Sequence, residues 1–170
     1  MAKYLCVRSL PPYAGFHSWK PVNPEPKFVK GLDLTRCRAP LLEERGNPHA
    51  DGFINVYVSE AGREAYLKQK ETAFAEGTVI VKEKLGKKGA KDAIELGVLV
   101  KREKGYAPKS GDWQYIFVDA KGVVTDQQNK LENCAACHRL REKNDYVFRA
   151  IVPAPAKGNQ VPSPRNNTRD

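Results

Sequence analysis

The chain has 170 residues, 41% of them hydrophobic, enough for one domain with a real core and short for two. No apolar run approaches the ~20 residues of a membrane-spanning helix, and runs such as Val98–Val100 are strand-sized, so a helical membrane protein is excluded and a soluble one expected. A net charge of +9 and a pI of about 9.4 admit nucleic acid, an anionic membrane or an acidic protein as partner, without choosing among them.

The opening Met1-Ala-Lys-Tyr-Leu-Cys6 lacks the basic start, apolar stretch and small-residue cleavage site of a signal peptide. Prolines at Pro11, Pro12, Pro21, Pro24, Pro26 and Pro40 predict short, irregular structure, so residues 1–50 read as a coat over a core spanning 51–152. Phe53-Ile-Asn-Val-Tyr-Val58 predicts the first core strand. Ser59 is then placed to cap a helix from Glu60 to about Lys70, with Ala61, Ala65, Tyr66 and Leu67 on its apolar side.

Three more strands follow, Thr78–Leu85, Ile94–Arg102 and Trp113–Val118, separated by segments rich in Gly, Lys, Pro and Ser, the pattern of an antiparallel meander. A second helix is expected from Thr125 or Asp126, continuous or with a break, through the Cys134–Arg141 segment, with Tyr146–Val152 returning as a last strand. The Pro-bearing stretch 153–170 reads as a flexible tail. The expectation is therefore a single α+β domain over 1–152, mainly antiparallel sheet, with a helix after the first core strand and a C-terminal helix.

Cys134-Ala-Ala-Cys137-His138 is a C-x-x-C-H sequence, the attachment signature of c-type haem. Two thiols on one helical turn can add to the two vinyl groups of a porphyrin, and the adjacent imidazole then lies under the iron. The motif thus predicts one covalently bound haem c on Cys134 and Cys137, with His138 as metal ligand. A zinc or thioredoxin-like dithiol site is the alternative. It is disfavoured because Cys6, Cys37 and His49 are isolated rather than paired and the segment lacks a βα unit. Cys6 and Cys37 read as a structural disulfide or as two separate thiols. Covalent c-type haem is assembled outside the bacterial cytoplasm, so a periplasmic or otherwise exported protein is expected, with its export signal absent from this chain.

The only methionine is Met1, which removes methionine as a sixth iron ligand. His17 and His49 remain as second imidazoles, and a bis-His electron carrier would need one of them. The favoured expectation is a five-coordinate iron with an open distal face, enclosed mainly by strands upstream of the motif. The basic cluster Lys82-Glu-Lys84-Leu-Gly-Lys87-Lys88-Gly-Ala-Lys91 has no aromatic residue for base stacking, which disfavours nucleic acid. It reads as a solvated hairpin tip, or as a docking surface for an acidic redox partner.

The sequence resembles the cytochrome P-460 and cytochrome c′-beta family over roughly residues 15 to 150. The resemblance rests on the Trp19-containing opening, Ile54-Asn-Val-Tyr57 before a helix, Phe74-Ala-Glu-Gly-Thr-Val-Ile-Val-Lys82-Glu83, Gly111-Asp-Trp113-Gln-Tyr-Ile-Phe117, and the haem motif followed by Asp145-Tyr-Val-Phe148. It implies a mainly antiparallel β fold, usually a homodimer, with a five-coordinate haem ligated by His138. It also implies one of two functions. Cytochrome P-460 members oxidise hydroxylamine, pass electrons to other cytochromes and carry a bond between a lysine and the porphyrin edge. Cytochrome c′-beta members lack that bond and bind nitric oxide or carbon monoxide in an apolar pocket.

The lysine of the first group matches Lys82, although strand alternation alone reads Lys82 as facing solvent, beside Ile80 and Lys84 and away from Val79, Val81 and Leu85. The acidic residue that serves as distal proton acceptor in some hydroxylamine oxidisers falls near Gly97, with Glu95 two residues away on the same strand face. Glu95 and Asp51 are the candidate catalytic carboxylates and Glu132 a further one. Phe53 and Arg45 are candidates for the distal Phe and Arg of relatives. The leading expectation is hydroxylamine oxidation to nitric or nitrous oxide; the alternative is a non-catalytic gas-binding cytochrome.

Overall fold

Runs of alternating side chains pair with their neighbours in chain order, and each hairpin buries what its strands share. A computed structural model describes residues 11–29, 51–68, 71–125 and 131–149. Within them, β1 (Lys27–Val29), β2 (Gly52–Val58), β3 (Val79–Leu85), β4 (Glu95–Lys101), β5 (Trp113–Val118) and β6 (Val124–Thr125) form a sheet in the order β1-β2-β3-β4-β5-β6. Every neighbouring pair is antiparallel. Two helices accompany the sheet, α1 (Glu60–Leu67) after β2 and α2 (Glu132–Arg139) near the end. The α+β architecture and the meander are those expected from the sequence.

Both faces of the sheet are covered. Directly opposed residues share a face, and the row Val56, Lys82, Gly97, Phe117 runs across β2, β3, β4 and β5. On that face Ile54, Val58, Ile80, Trp113 and Tyr115 form a core closed by Ala135 of α2 and by Val147. On the other, Tyr57, Val81, Val98 and Ile116 pack under Phe16, which a 3-10 turn at Phe16–Ser18 brings in from the N-terminal segment. Asn23 fixes that segment to β2: its side chain donates to the Ile54 carbonyl at 3.0 Å and accepts from the Val56 amide at 2.9 Å, standing in for a strand residue.

Several local expectations change. Ser59 does not cap α1; its hydroxyl accepts from the Val79 amide at 2.9 Å and so ties the helix start to β3. The buried stripe of α1 is Gly62 with Tyr66, one turn apart, while Ala61 and Leu67 are exposed. Of the expected second helix, Thr125 pairs with β5 as part of a strand instead, residues 126–130 lie outside the described residues, and α2 spans Glu132–Arg139. The expected last strand is absent over 146–149. Asp145 and Tyr146 take left-handed backbone angles (φ 51° and 63°), which turn the chain out of any extended run. The basic cluster divides: Lys87, Lys88 and Lys91 lie on an exposed hairpin tip, whereas Lys82 and Lys84 belong to β3, the first half-buried and the second buried. The tail 153–170, the remainder of the expected last strand, and Cys6, Cys37, Arg45 and His49 lie outside the described residues.

Gly62 is a packing requirement. A Cβ there would run into the methyl and hydroxyl of the fully buried Thr78. Gly to Ala inside a helix ordinarily gains about 1 kcal/mol. Here Gly62→Ala is expected to destabilise by about 1–3 kcal/mol, the overpacking range. In a Thr78→Ala background the same change is expected to lose that penalty. Denaturant midpoints of the four proteins check both.

Candidate haem site

Helix α2 presents the C-x-x-C-H residues on a flank beside the sheet. Ala135 is buried against the core, while Cys134, Cys137 and His138 are half-buried and neither thiol is in a disulfide. Contacts from the C-terminal segment and from β5 hold His138. Its Nδ1 donates to the Tyr146 carbonyl at 2.5 Å, which leaves Nε2 as the nitrogen bearing the lone pair. Its ring meets the Tyr115 and Phe148 rings edge-on, each at 5.1 Å between centroids.

Lys82 lies on the same sheet face as this helix, not toward solvent. Burial pushes its ammonium down to about 8; Glu95 opposes the shift and Lys84 adds to it. Lys82 and Cys134 also act on one another: burial raises the Cys134 thiol, and the Lys82 charge partly offsets the rise. The alternation that paired Lys82 with Ile80 and Lys84 was right about the face. The solvent assignment fails because the helix and the C-terminal segment cover that face.

Glu95 is on the Lys82 face at the start of β4 and forms an ion pair with Lys84 at 3.0 Å, with Lys84 almost fully buried. Asp51 is exposed just before β2 and is not brought to Lys82 by the strand register. Glu132 is exposed and paired with Arg139 at 2.7 Å. It belongs to the opposite flank of α2, where it borders a cleft of about 460 Å³ with Ala135, Arg139 and Tyr106. His17 sits across the sheet from His138, bonded to Glu83 at 2.8 Å, and therefore is not a second axial ligand. Phe53 faces away from Lys82 too, against Phe28 at 5.3 Å, so the distal-Phe expectation fails for it.

The residues fit a haem. Gly97 lies directly opposite Lys82 in the ladder, and a Cβ there would meet nothing within 4 Å. The open space over this one position, on the face that also holds the C-x-x-C-H helix, leaves room for a flat macrocycle, and only glycine keeps that spot low. A family description for cytochrome P460 matches residues 36–149. The chain belongs to the cytochrome P460 family. It is accordingly a c-type haem protein with a covalently bound haem and its iron. No curated protein matches the chain. Among the described residues no helix of this cytochrome is long and apolar enough to cross a membrane.

Sequence reasoning missed two features of this cytochrome's site. Tyr115, whose phenol burial pushes up, was legible as the middle of Trp113, Tyr115 and Phe117 on one strand face. The Tyr146 carbonyl as partner of His138 had no signal, because non-glycine left-handed residues leave no mark in a sequence.

Two checks follow from this geometry. Cys134→Ala and Cys137→Ala are each expected to leave one thioether and move the reduced pyridine haemochrome band to longer wavelength; the double variant should lose haem staining on denaturing gels. For Lys82, the folded value near 8 lies below the reference 10.5, so burial penalises the charged form fully below pH 8 and less as pH rises toward 10.5. Lys82→Met is therefore expected to stabilise the haem-free chain by up to about 3 kcal/mol below pH 8, with the gain fading by pH 10.5. Urea unfolding across that range measures it.

Proposed function

We propose that this cytochrome oxidises hydroxylamine at the open distal face of its haem, releasing nitric or nitrous oxide and passing electrons to another cytochrome. The observation that carries the proposal is Lys82, a covered lysine of depressed basicity on the face that also holds Cys134 and the open surface at Gly97. The haem supplies the redox chemistry when bound, taking electrons from the nitrogen ligand and giving them up singly.

The chain's own residues divide the remaining work. Cys134 and Cys137 fix the macrocycle and His138 supplies the proximal nitrogen. Lys82, once deprotonated, is a nucleophilic amine suited to approach the porphyrin edge; a C–N bond there would replace one edge C–H and one amine N–H, with two protons released and two electrons taken by an external oxidant such as a peroxide, and would alter the shape and potential of the macrocycle. Oxidation of hydroxylamine releases protons, and the Glu95 carboxylate is the acceptor, held in place by Lys84. Assembly of covalent haem implies an exported protein, and the family resemblance a homodimer.

A second reading is supported by Gly97. The position nearest the expected distal acid carries no side chain, and Phe117 opposite it and Leu99 two residues on are apolar, alongside Lys82 and Glu95. Such a surface suits a cytochrome that binds nitric oxide or carbon monoxide without turnover.

Optical spectra separate the two. A strongly red-shifted ferrous Soret band, lost in Lys82→Ala together with turnover, is expected for hydroxylamine oxidation; an ordinary high-spin c-type spectrum with tight nitric oxide binding and no turnover would sink it. Glu95→Gln is expected to slow hydroxylamine oxidation per haem by about 10²–10⁴-fold, the usual worth of a positioned base, while nitric oxide binding stays near wild type. Stopped-flow mixing with each ligand gives both quantities.

A further inference from the structure

The carbonyl that receives the His138 proton stands on two consecutive non-glycine residues in the left-handed region, Asp145 and Tyr146. Residues with a Cβ hold such a conformation only where their surroundings over-determine it. Here they do. The Asp145 amide donates to the Glu142 carbonyl at 2.9 Å and the Tyr146 amide to the Arg141 carbonyl at 2.8 Å. The Asp145 carbonyl accepts from the indole N–H of Trp113 at 2.8 Å, and its carboxylate accepts from the Phe74 amide at 2.7 Å.

One side chain ties these together. Lys101 Nζ reaches both Asp145 carboxylate oxygens, at 2.7 and 2.8 Å, and the Gly111 carbonyl at 2.9 Å. Gly111 is in turn the residue against which the Tyr146 ring lies, so closely that a Cβ would enter the ring. Lys101 is itself fixed, opposite Trp113 in the β4–β5 ladder with its ammonium 5.2 Å from the indole centroid. Both partners of the ion pair are largely shielded from water, where such a bond is strong.

We propose that Lys101 and Asp145 are positioning residues for the haem iron: the pair locks the Asp145–Tyr146 bend so that the Tyr146 carbonyl stays aimed at His138 Nδ1, and thereby sets the basicity of the axial imidazole. The inference rests on the reading of His138 as the iron ligand. A held Nδ1–H donor gives the imidazole more imidazolate character, strengthens its bond to iron and favours the ferric state. Without the Lys101 charge the Asp145 side chain loses its anchor, the bend relaxes and the carbonyl swings from the ring. Nothing in this chain of contacts requires Lys101 to touch haem or substrate. The control of the iron passes from β4 through Asp145 to His138.

The experiment compares haem-loaded wild type, Lys101→Met, Lys101→Arg and Val98→Ala. The last truncates a buried residue on the opposite sheet face and serves as a destabilised control. Lys101→Met is expected to move the ferrous Fe–His stretching band to lower frequency and the midpoint potential to more positive values. Lys101→Arg should restore both in large part, and Val98→Ala should lower the melting temperature without moving either. Wild-type band and potential in Lys101→Met would overturn the proposal, even with a lowered melting temperature. If Lys101→Met does not accumulate as haem protein, Asp145→Asn carries the same test, since it keeps the acceptor for the Phe74 amide and loses the charge. The ligation reading fails separately: a His138→Gly haem protein with an unchanged ferrous spectrum would show a different axial ligand.

Discussion

Coverage of the sheet on both faces is the constraint from which the rest of this molecule follows. A two-residue period sends Lys82 and Glu83 to opposite sides, and on each side something closes over them. Over Glu83 lies the N-terminal segment, whose His17 bonds the carboxylate, with Asn55 and Tyr57 of β2 donating to its other oxygen at 3.0 and 3.3 Å. Over Lys82 lie α2 and the C-terminal segment. The Glu83 carboxylate meets its burial with three hydrogen-bond partners, whereas burial holds the Lys82 ammonium below its ordinary value. The Glu83 face is saturated with donors and serves as structure. The Lys82 face carries the thiols, the imidazole and an open patch of strand.

This division clarifies what was legible in the sequence. The strands were, since Val79, Val81 and Leu85 alternate with Ile80, Lys82 and Lys84, and Trp113, Tyr115 and Phe117 with Gln114 and Ile116. The haem motif was too, because its spacing is itself the chemistry. Solvent exposure was not: a strand with lysines on one side reads as half-exposed until the helix that covers it is placed, and α2 is separated from β3 by three strands and their connections. Ser59 failed as a cap for a similar reason, since the Val79 amide that claims its hydroxyl belongs to another element. Phe53 failed by a parity of one, which in a strand is a change of face.

The C-terminal segment shows a further limit. Tyr146, Val147 and Phe148 have strand-like composition, yet their carbonyls and neighbours are taken by side chains: Tyr146 by His138, Phe148 by the Tyr66 hydroxyl at 3.3 Å. Arg149 reaches the carbonyls of Ala65 and Thr72 at 3.1 and 2.8 Å, with its guanidinium over the Phe74 ring. The segment is shaped by these side-chain bonds rather than by pairing with another strand.

The meander has a kinetic consequence. Each strand pairs with its sequence neighbour, so from β3 to β6 the sheet can zip up from successive hairpins through comparatively short loop closures. Among the described residues, the hydrogen bonds that span the greatest distance along the chain are those of the C-terminal segment, such as Phe74 to Asp145 across 71 residues and Ala65 to Arg149 across 84. They carry the largest closure entropy and are favoured to form late, against a sheet already in place. The part of the chain that would receive the haem is thus also the part most readily undocked while the sheet stays intact, which leaves the two thiols reachable during maturation.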